Sequence, residues 1–510
     1  MASTMLVCAT LVGKTVDEMV EKIGQAKNAG ADLVEFRIDY ITDFNAKRDL
    51  PTLLKARTLP AIVTYRPKWE GGLYEGDEAP RLAALQLAAD LGADYVDVEL
   101  KAATESFPSR KRKNGTKFIV SNHNYELTPS IEDLEALAAK CVSAGADIVK
   151  IVTTAHDIID NARMFQLMTR STVPIITLVM GQKGEISRIL TAKYGGFLTF
   201  GTLGKGQESA PGQHTLEQLI KVYRVKQIGR DTKVYGLVGN PVSHSKAPLF
   251  HNAVYNHEGM NCVYVYFMVD DLPSFLNAFG SQDFAGYSVT LPHKETAAKI
   301  CDDLEESARQ IGAVNTLVRK KNMKFSGYNT DCVGALKSIE DGLRAGGLHT
   351  TQEQPLQGKT FVVIGAGGAG KALAFGAYAR GAKVIVANRT IARAQALADQ
   401  LGPNASAITM DQLDEMKASK GFIVANSTSV GMLPDVDASP IAAQALKGYE
   451  LAFDAIYTPR VTKFLREAGE RGVTIVDGVE MFIEQAIVQF ELLTGTTSPV
   501  QYMRQLVESY

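Results

Sequence analysis

Eight short apolar runs, separated by stretches long enough for a helix, fill the first 220 residues. They read MLVCATL, ADLVEFRID, PAIVTYRP, YVDVEL, KFIVSNHN, DIVKIVT, PIITLVMG and FLTFGT. Between them, segments such as VDEMVEKIGQAKNAG and IEDLEALAAKCVSAG repeat apolar residues at the helical period. Few architectures accept so regular an alternation. Eight βα units predict an α/β fold whose strands close into a (β/α)8 TIM barrel. The basic, helix-poor stretch between YVDVEL and KFIVSNHN fits that scheme least well. The polar stretch RVKQIGRDTK, residues 224–233, ends the barrel, and VYGLVG opens further α/β structure.

A chain of 510 residues exceeds what one ordinary core holds. Its formal net charge of −2 offers neither the basic field that nucleic acid requires nor a polybasic membrane patch. No apolar run approaches the roughly 18 residues that span a bilayer. Cys8, Cys141, Cys262, Cys301 and Cys332 are scattered without a CxxC pair, which points to a reducing compartment and no metal site. The opening MASTMLVCATLVGKTV enters a strand pattern at once and carries no signal or transit pattern. The expected location is cytoplasmic, or plastid where a transit peptide has been removed.

Barrel enzymes place their active groups at the C-terminal ends of strands and in the loops that follow. Several runs here carry charge where packing alone wants none. Lys150 stands among Ile148, Val149, Ile151 and Val152, and a lysine so placed must be paired, reach water or lose its charge. In LVEFRIDY the two-residue period puts Glu35, Arg37 and Asp39 on one face. TYRPKWEGG supplies Arg66 and Glu70, VSNHNY supplies His123, and GEISRI supplies Arg188. ESAPGQHT, after the last strand, adds Ser209 and Gln213. Singly, each has a structural explanation as an ion-pair partner, a core histidine or a snorkelling lysine. Together they would converge on one mouth. A desolvated lysine beside arginines becomes a neutral amine able to form a Schiff base with a ketone. An imidazole can then move the activated neighbouring proton. With Glu70 orienting that imidazole and arginines binding an anion, the set describes removal of water from a carboxylated keto-polyol.

VEFRID, TYRPKWEGG, SNHNY, DIVKI, GEISR and SAPGQ, in that order, resemble the motifs of type I 3-dehydroquinate dehydratases. The resemblance implies Lys150 as the Schiff-base residue and His123 as general acid/base with Glu70 beside it. It also implies that Glu35, Arg37 and Arg66 hold substrate hydroxyls, while Arg188, Ser209 and Gln213 hold the carboxylate end.

In the second half, FVVIGAGGAGKALA follows a strand pattern and opens a helical one. Gly365, Gly367 and Gly370 form GxGxxG, with Gly368 and Ala369 inside the turn, as in a Rossmann dinucleotide-binding unit. The same letters fit GxxxxGK, but a phosphate-binding P-loop then needs Ser or Thr where Ala372 stands. The next strand pattern, AKVIVA, ends in Asn388, Arg389 and Thr390, with Arg393 one turn further. An NAD site usually carries an acid there; two guanidinium groups instead suit a 2′-phosphate, so NADP is the expected cofactor. GYSVTLPHKE and GYNTDCVGA supply Lys294 and Asp331, which could donate a proton to a carbonyl as hydride arrives. In isolation that pair reads as an ordinary salt bridge.

GNPVSHSKAP, GYSVTLPHKE, GAVNTL, GYNTD, NRT, NSTSVGM and FDAIYTPR together are similar to shikimate dehydrogenases across residues 234–510. The order of the two halves resembles that of plant bifunctional dehydratase–shikimate dehydrogenases. The resemblance implies dehydration of 3-dehydroquinate to 3-dehydroshikimate, then NADPH-dependent reduction to shikimate. It assigns Lys294 and Asp331 as the catalytic dyad and Ser245, Thr290, Asn315, Tyr457 and Gln485 as substrate contacts. The expected domains are a barrel over 1–225, a substrate-binding domain over 232–335, a Rossmann domain over 336–480 and C-terminal helices over 481–510 that return to the substrate lobe. One position departs from the pattern. The family usually reads SKS where this chain has SKA, and Ala247 cannot donate to the substrate carboxylate. Such a bond is worth about 1.5–3 kcal/mol. A small residue there also occurs in related quinate dehydrogenases, so quinate oxidation, or oxidation of 3-dehydroshikimate toward gallate, stands as the alternative. A P-loop hydrolase is opposed by Ala372, and a non-catalytic sensor by the presence of Lys150, His123, Lys294 and Asp331.

Overall fold

The computed structural model describes residues 5–106, 115–242, 245–345 and 354–508. Most of the basic stretch after YVDVEL, residues 107–114, lies outside them, as do Ser243 and His244 of GNPVSHSKAP. The chain forms two compact units, Met1–Phe284 and Ala285–Tyr510.

Eight strands open the first unit: β1 (Leu6–Leu11), β2 (Leu33–Arg37), β3 (Ala61–Thr64), β4 (Tyr95–Glu99), β5 (Lys117–His123), β6 (Ile148–Thr154), β7 (Ile175–Met180) and β8 (Leu198–Gly201). They pair in parallel in the order β7-β6-β5-β4-β3-β2-β1-β8. A backbone bond from Phe197 N–H to the Ile175 carbonyl, 2.8 Å, brings the two ends of the sheet together. Side-chain caps support three of the helices. Thr15, Asn45 and Ser130 accept backbone N–H groups at the starts of helices Val16–Asn28, Ala46–Ala56 and Ile131–Ser143. Inside the barrel a floor of Cys8, Leu33, Ile62, Ile119, Ile148, Ile176 and Leu198 is apolar and buried. Two residues further along, the same faces carry Thr10, Glu35, Thr64, Ser121 and Lys150, so the polar layer sits directly above the floor. Asp39 departs from the expected pattern: β2 stops at Arg37, and Asp39 lies on the following 3₁₀ turn, Ile38–Tyr40.

Lys193, nearly buried, donates to the carbonyls of Arg230 (2.6 Å) and Thr232 (2.9 Å), fastening the chain as it leaves the barrel. Then β9 (Lys233–Gly239), helix Ala247–His257 and β10 (Cys262–Met268) form a parallel βαβ unit. Asn252 joins its helix to β10 by bonding both the N–H and the carbonyl of Tyr264.

The second unit begins with β11 (Phe284–Val289), β12 (Asp303–Leu304), β13 (Thr316–Arg319) and β14 (Phe325–Tyr328). Here β13 is antiparallel to both β11 and β14, and β12 runs parallel to β14. After helix Thr330–Ala345 come β15 (Thr360–Ile364), β16 (Lys383–Ala387), β17 (Ala405–Ile408), β18 (Phe422–Asn426), β19 (Leu451–Asp454) and β20 (Thr474–Val476). They form a parallel sheet in the order β17-β16-β15-β18-β19-β20. That is the 3-2-1-4-5-6 order of dinucleotide-binding folds, in which ligands sit at the C-terminal strand ends where the order reverses. Apolar layers cover both faces, with Phe361, Val363 and Leu373 in one and Val362, Val424 and Phe464 in the other. Helix Gly478–Thr494 carries Gln489, which takes a hydrogen bond from Ser288 (2.7 Å) and gives one to Thr316 Oγ1 (2.8 Å).

Candidate active sites

At the C-terminal ends of the barrel strands one cavity is lined by Glu35, Arg37, Arg66, His123, Lys150, Arg188, Ser209 and Gln213. Glu70 lies beneath it: its Oε1 is 2.9 Å from His123 Nδ1 and also accepts the His123 backbone N–H at 2.9 Å. Lys150 is buried, and its Nζ donates to Asp97 Oδ2 at 2.9 Å, with Glu35 Oε1 at 3.8 Å and the Phe200 ring centroid at 4.7 Å. This corrects the expected surroundings of the lysine. The group in contact with its nitrogen is a carboxylate, and Arg66 stands one step removed, on the other oxygen of that same carboxylate at 2.9 Å.

Asp97 and Glu99 are the residues that sequence reading missed. Both come from β4, are fully buried, and take Arg66 between them. Arg66 also donates to Ser121 (2.8 Å), while Glu99 is shared with the buried Arg81. Their signal was present in YVDVEL, where two acids stand two residues apart on one face of an otherwise apolar strand. Arg37 is held by Asp39 through two hydrogen bonds of 2.9 and 2.7 Å. Glu35 accepts from the hydroxyls of Thr10 (3.2 Å) and Thr64 (2.8 Å). Gln213 accepts from Ser209 N–H (3.0 Å) and Oγ (3.2 Å) and donates to Thr10 Oγ1 (3.3 Å), another group that sequence reading passed over.

The electrostatics follow from this packing. Burial pushes the Asp97 carboxyl up, but Arg66 and Lys150 outweigh it and hold the group below the ordinary carboxylate range. Burial, reinforced by the positive charges of Arg66 and Lys150, drives the His123 pKa well down, so its imidazole is neutral and free to accept a proton. Burial raises Glu70 to about 8 despite Arg66. Arg188 is lowered by burial to about 10, and among the described residues its buried Nε has no hydrogen-bond partner. An arginine with donors to spare in a closed cavity fits an anionic ligand.

In the second unit Lys294 Nζ donates to Asp331 Oδ2 at 2.7 Å, both side chains being largely but not wholly covered. Lys294 opens a short helix and Asp331 lies in the first turn of Thr330–Ala345. Asn315 is buried: its Nδ2 donates to Thr330 Oγ1 (2.9 Å) and its oxygen accepts Thr330 N–H (2.8 Å). Thr330 Oγ1 in turn reaches Gln485 (3.4 Å), so Asn315, Gln485 and the start of the Asp331 helix are one network. Thr290 precedes the Lys294 helix and accepts His293 N–H at 3.0 Å. Tyr457 is exposed, its ring 5.8 Å from that of Phe482. In the first unit Ser245 Oγ accepts the N–H of Ala247, and the Ala247 methyl stands at the helix start where the expected pattern has a hydroxyl.

The glycine-rich turn joins β15 to helix Gly368–Ala379. Gly365 has φ +107°, open only to glycine without strain, and a Cβ there would lie 2.6 Å from Ser427 Oγ. At Gly370 a Cβ would run into the Gly365 carbonyl. Around Gly367 and Gly368 the space is open, leaving backbone N–H groups at the helix start, beside Ala369, accessible to an anion. These residues fit a dinucleotide pyrophosphate. β16 ends beside them, with Asn388 Nδ2 bonded to the Thr390 carbonyl (2.9 Å). Arg389 and Arg393 are exposed, and among the described residues neither takes part in an ion pair.

The type I 3-dehydroquinase family matches residues 7–230. Three further family models follow in order: the shikimate dehydrogenase substrate-binding domain over 237–317, shikimate/quinate 5-dehydrogenase over 348–463 and the shikimate 5′-dehydrogenase C-terminal domain over 478–508. The chain is 52% identical over 511 residues to the Arabidopsis thaliana chloroplastic bifunctional 3-dehydroquinate dehydratase/shikimate dehydrogenase, covering 99% of this chain and 84% of that protein. It is 35% identical over 280 residues to the shikimate dehydrogenase (NADP(+)) of Bacillus cereus, covering 54% of this chain and 97% of that one. A crystal structure of a shikimate dehydrogenase in complex with NADP+ matches 55% of this chain and 96% of that chain at 33% identity, with a TM-score of 0.49. Among the described residues no helix is long and apolar enough to cross a membrane.

Proposed function

The chain belongs to the bifunctional 3-dehydroquinate dehydratase/shikimate dehydrogenase family, and from that premise we propose how its residues divide the two reactions. It is a lyase and an oxidoreductase of the shikimate pathway. The barrel (1–225) takes 3-dehydroquinate. The substrate domain (232–335), the Rossmann domain (336–480) and the C-terminal helices (481–510) take its product, 3-dehydroshikimate.

In the barrel, Lys150 attacks the ketone of 3-dehydroquinate and loses water to give an iminium, which makes the adjacent proton removable. His123, neutral and held by Glu70, takes that proton and returns one to the departing hydroxyl, and a water then hydrolyses the product iminium, releasing 3-dehydroshikimate and freeing Lys150. Asp97 and Glu35 keep the lysine nitrogen in place. Glu35, Arg37 and Arg66 orient the hydroxyls, while Arg188, Ser209 and Gln213 face the carboxylate. The observation that supports this most is the arrangement of Lys150, His123 and Arg188 around one cavity. Borohydride added with 3-dehydroquinate is expected to fix substrate covalently on Lys150, read as a mass increase on its peptide. An unchanged peptide mass removes the assignment.

In the dehydrogenase half, Lys294 donates the proton that completes reduction of the carbonyl, and Asp331 keeps the lysine oriented. Asn315, Gln485, Thr290, Tyr457 and Ser245 bind the substrate. Bound at the glycine turn, NADPH supplies the hydride. Gly365, Gly367, Gly368, Ala369 and Gly370 hold its pyrophosphate, while Asn388, Arg389, Thr390 and Arg393 take the adenosine ribose and 2′-phosphate. The Bacillus cereus relative, named for NADP(+), points the same way. Arg389→Ala is expected to raise KM for NADP about tenfold while leaving that for NAD unchanged; equal effects would place the 2′-phosphate elsewhere. Ala247 supports a second reading, in which quinate is also oxidised, and parallel assays with shikimate and quinate separate the two. A plastid location is proposed from the Arabidopsis relative, which is named as chloroplastic, and fractionation of the source cells with an antibody to this protein tests it.

A further inference from the structure

Asp454 is a fully buried acid that no ion pair reaches among the described residues. It ends β19 and lies opposite Asn426, at the end of β18, in the parallel register. Its Oδ1 accepts from Asn426 Nδ2 (3.1 Å) and Ile456 N–H (3.0 Å), and its Oδ2 accepts the Thr462 hydroxyl (2.7 Å). These groups face it from β18 and from residues 456–462, and all are neutral. Burial pushes its carboxyl up to about 6 against the three hydrogen bonds. An uncompensated buried carboxylate is costly where an amide would fill the same space. Its position, at the C-terminal edge of a parallel sheet, is where such sheets hold ligands.

The carboxylate orients its neighbours because it only accepts. Asn426 turns its NH2 toward Asp454 and, at 3.3 Å, the Val430 carbonyl, and so turns its oxygen toward the N–H and hydroxyl of Thr428, at 3.0 and 2.7 Å. Between them Ser427 donates to the carbonyl of Ile364, the last residue of β15 before the glycine turn, at 2.7 Å. On the other side, Ile456 N–H and Thr462 close the loop that carries Tyr457. A protonated carboxyl donates from Oδ2, so the Thr462 hydroxyl must reverse and accept, and the negative charge that strengthens the bonds from Asn426 and Ile456 is lost.

We propose that Asp454 is a positioning residue of the dehydrogenase, whose carboxylate holds the Asn426–Thr428 turn and the Tyr457 loop in the arrangement that binds cofactor and substrate, and loosens both on taking up a proton. This rests on the reading of the second half as a dehydrogenase. Asp454→Asn imitates the protonated acid at constant size. Its kcat/KM for 3-dehydroshikimate reduction is expected to fall about tenfold at pH 7.5, mainly through KM, the equivalent of one hydrogen bond to a charged group. The wild-type acid limb, between about pH 5 and 7, should be absent from the variant. Thr462→Val removes one donor to the carboxylate and should move that limb to higher pH. Retention of the wild-type kcat at saturating 3-dehydroshikimate and NADPH reports that the second unit is folded, and dehydration of 3-dehydroquinate by the first unit should stay at the wild-type level. Wild-type kinetics in Asp454→Asn, or an acid limb that persists in it at the same pH, overturns the proposal. Failure of the unaltered chain to reduce 3-dehydroshikimate with NADPH overturns the underlying reading and the proposal with it, and is seen before any variant is made.

Discussion

The amine of Lys150 has an acidic partner 53 positions away in sequence, and that partner also holds Arg66. Two cations therefore share the Asp97 carboxylate inside a closed layer. Replacing Asp97 by Asn would leave Arg66 with Glu99 alone and Lys150 with only Glu35 at 3.8 Å, and breaking a buried pair in this way costs about 3–5 kcal/mol. Asp97→Asn should accordingly lower the free energy of unfolding by about 3 kcal/mol, measured by urea denaturation; an unchanged midpoint would mean that Glu35 and Glu99 suffice. His123→Ala should slow dehydration by about 10²–10⁴-fold while leaving shikimate oxidation by the other half intact. Loss of both activities together would point to misfolding instead. At this scale the residue types in VEFRID, SNHNY, DIVKI and GEISR were legible because a charge inside a strand pattern is conspicuous. Asp97 and Glu99 were equally visible as letters, yet only pairing across β3, β4, β5 and β6 shows which cations they serve.

The strands of the barrel owe their positions to alternation: one inward residue builds the apolar floor and the next inward residue reaches the site. A one-residue slip would exchange those roles, so the same pattern that encodes the fold also aims Lys150 and Glu35. The turn from β15 into helix Gly368–Ala379 shows the other way an element constrains a site. There the chain passes so close to itself that only hydrogen fits at Gly370. Gly370→Ala should abolish NADP binding, followed by quenching of protein fluorescence or calorimetry, while 3-dehydroquinate dehydration continues. Retained cofactor affinity would show that the turn can shift to make room. GxGxxG revealed this element from sequence because glycine spacing reports a backbone requirement. The Asn426–Thr428 turn beside it was not foreseen, since asparagine and threonine satisfy many turns and only the neighbouring strand shows what they face.

Among the described residues, burial holds three histidines below the ordinary imidazole value. Burial drives His251 down to about 3 and His214 to about 4, and puts His123 well below the ordinary value. In an unfolded chain each would titrate near 6.5. The unfolded state therefore binds more protons below that pH, so stability is fully present above about 6.5 and is lost as pH falls toward the folded values. Buried acids with raised values, Glu70 and Asp454, act in the opposite sense on the total, so the histidine contribution is read by substitution: His251→Phe should raise the urea midpoint relative to wild type more at pH 5 than at pH 7.5. An equal shift at both values would mean that this site opens to water. Fold class, the order of the two halves, the glycine turn and most candidate site residue types were determined by the sequence itself, because hydrophobic period, glycine spacing and buried charge are local chemical facts. Which acid holds which base was decided only by tertiary structure. Those partners lie tens to hundreds of residues apart, as with Thr10 and Gln213, and meet only because a closed ring of strands brings their ends together.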